Sequence, residues 1–294
     1  MATKNLKLSA GANIALVYRL ETVQAVALSQ KVAKYLTEKG YKVFTAPEQK
    51  VIPGTKAAKT KKQLDALELT IVLGGDGTYL RAVRLLEGRS VPVLGFNMGS
   101  LGFLTAHSAE STFEVIDEAL KGKMELRPRS MIHAIVHRGS KKRAEFHALN
   151  DMVIERGSMS QLINTSIYSD KFLVSHVKAD GFIIASPSGS TAYNLAAGGP
   201  LLHPESPVLV VTPVAPHSLT SRPLIFPDQG ELSFKLEGKT QKAHFIVDGQ
   251  KQTEITAQDR VVISRSCYDH LMVRSPGHNF FHLLREKLKF GDRN

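Results

Sequence analysis

Gly74-Gly75-Asp76-Gly77 is the first group in this sequence whose residue types and spacing could do chemistry. Glycines let a backbone approach a phosphate closely and aim its amides at it, and a helix starting there favours negative charge. The aspartate has a different use. A carboxylate is a poor neighbour for a bare phosphate, but it accepts a hydrogen bond from a hydroxyl and can take that proton as the oxygen attacks phosphorus. The combination reads as phosphorylation of an alcohol, although the same residues also suit a tight turn in which Asp76 caps a helix.

A second group is Ser186-Pro187-Ser188-Gly189-Ser190-Thr191-Ala192-Tyr193-Asn194, followed by Gly198-Gly199-Pro200. Hydroxyls and small residues leading into a helix over Thr191–Ala197 offer a cradle for a nucleotide, or a helix cap on a loop. Asn150-Asp151 pairs an amide with a carboxylate and could grip adjacent ribose hydroxyls, or form an Asx turn. Asp180-Gly181 and Asp248-Gly249 read as ordinary turn dipeptides. Cys267 reads as a core residue of a strand rather than a nucleophile.

These residues need a frame. Asn13–Tyr18, Tyr41–Thr45, Leu69–Leu73 and Val91–Phe96 read as buried strands, alternating with helical patterns over Thr22–Lys39, Thr78–Glu87 and a serine-capped Ser111–Lys121. Strands alternating with helices predict an α/β domain with an open, Rossmann-like parallel sheet over residues 1–128. Gly74–Gly77 then falls where a strand ends and a helix begins, at the sheet edge where ligands dock. Past Arg127–Ser130 the pattern changes to short strands and turns. Hairpins are predicted over Met131–Leu149 and Leu162–Lys178, with strands at Val208–Thr212, Glu231–Leu236, Ala243–Val247, Arg260–Arg265 and Leu271–Arg274. Residues 129–278 therefore read as a β-rich domain of mostly antiparallel strands. A helix from about 279 to 294, with Phe281, Leu284 and Leu288 on one face, is expected to return to the first domain.

Composition narrows the classes. The 294 residues include no run of about 20 uncharged apolar residues, so no membrane span is expected. With one cysteine and no secretory pattern at the N-terminus, the expected compartment is the cytoplasm, and neither disulfide nor zinc module is expected. The net charge of +11 would attract polyanions. Without interleaved aromatics or a recognisable module, nucleic acid is not the expected partner. Much of the local excess lies between Lys50 and Lys62, which reads as a mobile basic loop.

Taken in order, Gly74–Thr78, Gly95-Phe96-Asn97-Met98-Gly99-Ser100-Leu101-Gly102-Phe103-Leu104-Thr105, Asn150-Asp151, Asp180-Gly181, Ser186–Tyr193 and Pro216-His217-Ser218-Leu219-Thr220-Ser221-Arg222-Pro223 resemble the NAD kinase family over nearly the whole chain. The Gly-Gly-Asp-Gly turn is shared with lipid and sugar kinases; the Gly-Ser-Thr-Ala-Tyr and Leu-Gly-Phe-Leu-Thr segments are more specific. The resemblance implies phosphoryl transfer from ATP to the adenosine-ribose 2′-hydroxyl of NAD, giving NADP. It makes Asp76 the proton acceptor, sets Gly74, Gly75 and Gly77 against the nucleotide, and brings Arg81 to phosphate. It puts Asn150 and Asp151 on ribose hydroxyls, Lys178 and Asp180 near the ligand's other half, and Thr191, Ala192, Tyr193, Asn194, Leu195 and Ala196 around the bases, with Gln250 lining the same cleft. The family usually carries glutamate where this chain has Asp151, and some relatives have histidine at position 161, which is glutamine here. The resemblance also implies a homodimer or homotetramer. No carboxylate cluster points to a protein-built metal cage, so magnesium is expected to arrive with ATP. Two other readings stand beside this one. A lipid or diacylglycerol-type kinase would need an apolar entry surface or a basic amphipathic helix, and a non-catalytic NAD-binding protein would carry Gly-x-Gly-x-x-Gly after the first strand, which is absent here.

Overall fold

The computed structural model describes residues 4–157, 161–238 and 241–289, so the last five positions of the expected C-terminal helix lie outside the described residues. The chain divides into two compact units, Met1–Pro128 with His270–Asn294, and Arg129–Asp269.

The first unit is built on parallel strands. Asn13–Tyr18 pairs with Lys42–Thr45 on one side and with Leu67–Leu73 on the other, and Leu67–Leu73 pairs in turn with Val93–Asn97. Strand order therefore reverses between Asn13–Tyr18 and Leu67–Leu73, which opens a crevice at their carboxyl ends. The central strands are buried on both faces, which explains their unbroken apolar runs. Helices Val23–Glu38, Asp76–Leu86 and Thr112–Leu120 accompany them. Ser111 does not cap the last of these with its side chain; its hydroxyl donates to Ser108 O at 3.0 Å instead. The basic segment is more ordered than a mobile loop. It contains the short strand Lys56–Ala57 and the helix Lys61–Asp65, whose Thr60/Gln63 capping box satisfies first-turn amides.

The second unit is β-rich. Six antiparallel strands run in the spatial order Leu224–Pro227, Val208–Val214, Gly181–Ala185, Asp151–Arg156, Lys242–Val247, Lys251–Thr256. Met152, Ile154, Phe182, Ile184 and Phe245 face a large core shared with Ile132, Phe146, Ile167 and Phe234. Val153, Ile183, Ala185 and Val210 face a smaller core closed by Leu202. Because Asp151–Arg156 and Gly181–Ala185 are covered on both faces, they lack the period-2 alternation that reveals a half-buried strand, and the sequence reading passed over both.

Three further expectations change. Arg260–Arg265 and Leu271–Arg274 belong to one continuous strand, Asp259–Arg274, whose polar middle, Ser266–His270, interrupts the apolar pattern without breaking the backbone; Cys267 in it is exposed, not core. The C-terminal helix, Phe280–Leu288, buries Leu283 and Leu284, while Phe281 stays 57% exposed. Among the described residues no helix is long and apolar enough to cross a membrane.

Candidate active site

In the first unit the chain leaves strand Leu67–Leu73 through Gly74, where a Cβ would stand 2.4 Å from Thr78 Oγ1, so that a side chain cannot enter without displacing the helix start. Gly75 is the N-cap of helix Asp76–Leu86, and Asp76 lies in its first turn, where a negative charge is favoured by the helix dipole. The Asp76 carboxylate is held by one loop. Oδ2 accepts the Phe103 amide at 2.9 Å, and Oδ1 accepts the amides of Leu104 and Thr105 at 3.1 and 3.0 Å and the Thr105 hydroxyl at 3.0 Å. With one hydrogen bond against three, Oδ2 keeps acceptor capacity that Oδ1 has lost.

The loop itself is clamped. Gly102 passes so close that a Cβ would meet Asp76 Oδ1 at 2.1 Å. Arg274 donates to Phe103 O at 2.7 Å, Lys287 donates to Leu101 O at 2.8 Å, and the same ammonium lies 5.3 Å from the Phe103 ring centre. Asn97 ties the loop's far end by donating to His107 O at 3.0 Å. Burial, reinforced by the charge of Arg274, pushes the His107 imidazole down to about 3, so it stays neutral. Arg81, expected on phosphate, forms an ion pair with Glu48 at 3.1 Å.

In the second unit Asn150 and Asp151 lie between two other segments. The Asp248 carboxylate accepts the amides of Leu149, Asn150 and Asp151 at 2.9, 2.8 and 3.1 Å, while its own amide donates to Asp151 O at 2.9 Å. On the other side Ser186 donates its amide to Asn150 O at 2.9 Å, and Gly189 passes so near that a Cβ would stand 1.9 Å from that oxygen. Asn150 Oδ1 is buried without a hydrogen-bond partner among the described residues. Burial, and secondarily the Asp248 charge, push the Asp151 carboxyl up to about 7 against the pull of the Tyr193 amide. Burial likewise raises Asp248 to about 6, opposed by its three amide donors.

The hydroxyl-rich segment forms a 3-10 turn over Gly189–Thr191 and a single helical turn over Tyr193–Ala196, shorter than the expected helix. Several of its polar groups serve the loop itself. Ser190 Oγ donates to Pro187 O at 2.7 Å, Thr191 Oγ1 to Ser188 O at 3.1 Å, and Ser186 Oγ accepts the Gly189 amide at 3.1 Å. Asn194 is fully buried; its amide nitrogen donates to Ser190 O and Pro200 O and its oxygen accepts from Thr212 Oγ1, so its side chain braces the loop from beneath. Thr191, Ala192 and Leu195 are half-buried, and Tyr193 and Ala196 are exposed.

Tertiary structure thus gathers Gly74, Gly75, Asp76 and Gly77 with the Leu101–Thr105 loop in one unit, and Asn150 and Asp151 with Ser186–Asn194 in the other. Lys178 is exposed on strand Phe172–Ala179, and Asp180 pairs with Arg156 at 3.2 Å. Gln250 closes the turn after Asp248-Gly249 through its amide to Val247 O at 3.0 Å. The expected turn at Asp248-Gly249 is present, with positive φ of 47° and 62° between strands Lys242–Val247 and Lys251–Thr256. Sequence reasoning missed only what the Asp248 carboxylate does there, holding the amides of Leu149, Asn150 and Asp151.

Residues 14–124 match the family model of the ATP-NAD kinase N-terminal domain, and residues 149–275 that of the ATP-NAD kinase C-terminal domain. An NAD kinase of Bdellovibrio bacteriovorus is 76% identical over 289 residues, covering 98% of this chain and 95% of its own. An NAD kinase of Solibacter usitatus is 35% identical, covering 95% and 97%. Among solved structures, a yeast NADH kinase complexed with NADH superposes with a TM-score of 0.89 at 24% identity, covering 97% of this chain and 90% of its own. An NAD kinase from Archaeoglobus fulgidus in complex with ATP gives 0.72 at 24% identity, covering 93% and 98%. The sequence matches span both units, including the Asp76 turn and the Asn150-Asp151 bracket, and on them the chain belongs to the NAD kinase family.

Proposed function

We propose that this chain transfers the γ-phosphoryl group of ATP to the 2′-hydroxyl of the adenosine ribose of NAD, giving NADP and ADP. The observation that carries the reading is Asp76: a half-buried carboxylate at a helix start on the carboxyl edge of a parallel sheet, fixed by four donors yet with acceptor capacity left on Oδ2. In the step itself the ribose oxygen forms a bond to the γ-phosphorus and the bond from that phosphorus to the β,γ-bridging oxygen breaks. ADP leaves with the bridging oxygen, and the hydroxyl proton passes to Asp76 Oδ2. A loose phosphoryl-transfer transition state asks the protein mainly for alignment and charge neutralisation.

The remaining residues have binding roles in this reading. Gly74, Gly75 and Gly77 keep the turn free of side chains, and Arg81 exchanges Glu48 for phosphate. Asn150 Oδ1, a buried acceptor in want of a donor, and the Asp151 carboxyl take ribose hydroxyls. Lys178, Asp180, Gln250 and the backbone of Thr191–Ala196 line the rest of the dinucleotide site. Magnesium would arrive bound to ATP and would supply positive charge at the phosphates; hard oxygen donors of the triphosphate and water suit it. NADH and ATP are the ligands of the two similar solved structures, which supports a dinucleotide and a triphosphate as substrates here. We further assign the protein to the cytoplasm and to a homo-oligomer.

Incubation with NAD, ATP and magnesium, followed by an enzymatic assay for NADP, tests the reading. Wild type should form NADP, and Asp76→Asn should lose about 10²- to 10⁴-fold in rate while still binding NAD. Absence of NADP from the wild-type reaction removes NAD as the acceptor, leaving a lipid acceptor or a non-catalytic role; full activity in the variant removes Asp76 from its role.

A further inference from the structure

The hairpin of strands Glu125–Arg138 and Lys141–Ala148 turns Ile132, Ala134, Val136, Phe146 and Ala148 into the core of the second unit. Alternation then sends His133, Glu145 and His147 to the opposite face. Register brings them together: His133 lies directly across from His147, and Ile135 across from Glu145. The two imidazoles stack with centroids 4.7 Å apart and planes 17° from parallel. His133 Nε2 and Glu145 Oε1 are 2.8 Å apart, and one nitrogen of each imidazole and one carboxylate oxygen all lie within 4.8 Å of one another.

An outer layer supports the trio. His147 Nδ1 lies 3.2 Å from Ser266 Oγ, which leaves Nε2 as the lone-pair nitrogen when Nδ1 carries the proton, and the Tyr268 ring packs at 4.9 Å. Glu145 divides its oxygens, Oε1 toward His133 and Oε2 toward the Lys142 ammonium at 2.8 Å.

We propose that His133, Glu145 and His147 form a binding site for a divalent transition ion, zinc(II) foremost, separate from the residues assigned to phosphoryl transfer. Two imidazoles and one carboxylate are a donor set that zinc accepts with tetrahedral geometry, and bonds of about 2.0–2.2 Å place ligand atoms about 3.4 Å apart. Coordination requires one imidazole to turn out of the stack so that both lone pairs meet at one point, and the Glu145 side chain, which is 41% exposed, to move inward. Oε1 would leave its hydrogen bond to His133 for the metal, while Oε2 keeps Lys142. The fourth position faces outward and takes water. Magnesium, which requires hard oxygen donors in octahedral array, does not fit this set. A bound ion would staple the two strands and stabilise the folded chain by mass action.

Titration calorimetry of the tag-free full-length protein with zinc sulfate, in a buffer that does not chelate, tests the site. One zinc per chain should bind saturably, and thermal unfolding should shift upward with added zinc but not with magnesium. His133→Gln and His147→Gln should each weaken zinc binding by about tenfold or more, and Glu145→Gln should weaken it less. Circular dichroism of each variant checks that its fold persists, and Glu145→Gln, at the exposed position, serves if a histidine variant fails to fold. No saturable zinc uptake by wild type, or uptake unchanged in any folded variant of the three, overturns the proposal and leaves a simple histidine–glutamate pair.

Discussion

The Asp76 carboxylate accepts both the amide and the hydroxyl of Thr105 through the same oxygen, each at 3.0 Å. Two motifs 29 residues apart are thereby one object, since the loop that carries Thr105 is also what orients the proposed proton acceptor. An unbound carboxylate at a helix start would rotate freely among solvent hydrogen bonds. Here the preferred face of Oδ2 is set before any substrate arrives, which is the preorganisation phosphoryl transfer needs.

Thr105→Val removes one of four donors and leaves the amide bonds in place. It should cost about 1 kcal/mol of stability and only a modest part of the rate. Gly102→Ala should be worse, by about 1–3 kcal/mol, because its Cβ would collide with Asp76 Oδ1 from a loop already clamped at both ends. Urea denaturation and the NADP assay measure both. Equal rates for Gly102→Ala and wild type would show that the orientation of Asp76 does not limit turnover.

Asp248→Ala leaves the amides of Leu149, Asn150 and Asp151 without their acceptor. At about 1–3 kcal/mol for each buried group left unsatisfied, the variant should lose roughly 3 kcal/mol or more. Asp248→Asn keeps one acceptor oxygen and should lose less. A stability within 1 kcal/mol of wild type for Asp248→Ala would mean that water replaces the carboxylate at about the cost of an ordinary surface change.

Asp151 carries a pH signature. Its pKa is raised from 3.8 to about 7, so between those values the folded chain holds a proton that the unfolded chain releases. The resulting stability is fully present below 3.8 and is lost as pH rises through about 7. Asp151→Asn cannot ionise, so its stability relative to wild type should grow as pH goes from about 5 to about 8. Thermal melts across that range decide it; a constant difference would place the Asp151 carboxyl in solvent contact.

Lys50, Lys56, Lys59, Lys61 and Lys62 are all exposed, and the segment is anchored by Tyr18, whose hydroxyl donates to Lys50 O at 2.8 Å. If these charges assist triphosphate binding, replacing the five lysines with alanine should raise KM for ATP severalfold with kcat little changed, and the increase should shrink at high salt. An unchanged KM would assign them to solubility alone.

The primary sequence determined the alternation of parallel strands and helices in the first unit, because buried parallel strands write themselves as unbroken apolar runs and their crossover helices as 3.6-residue periods. It also determined the family, through residues whose identities chemistry constrains: Asp76, the glycines around it, Asn150 and the Gly189–Tyr193 segment. What only tertiary structure decided is how those residues are held. Asp76 lies on the Phe103–Thr105 amides, Asn194 faces inward to brace its own loop, and Asp248, dismissed from sequence as an ordinary turn residue, brackets Asn150 and Asp151. The Asp76 and Asp248 contacts join segments 27 or more residues apart, and the Asn194–Thr212 bond spans 18. Local propensity and periodicity report only on neighbours a few positions away, so they carry no trace of which distant amide a carboxylate will find.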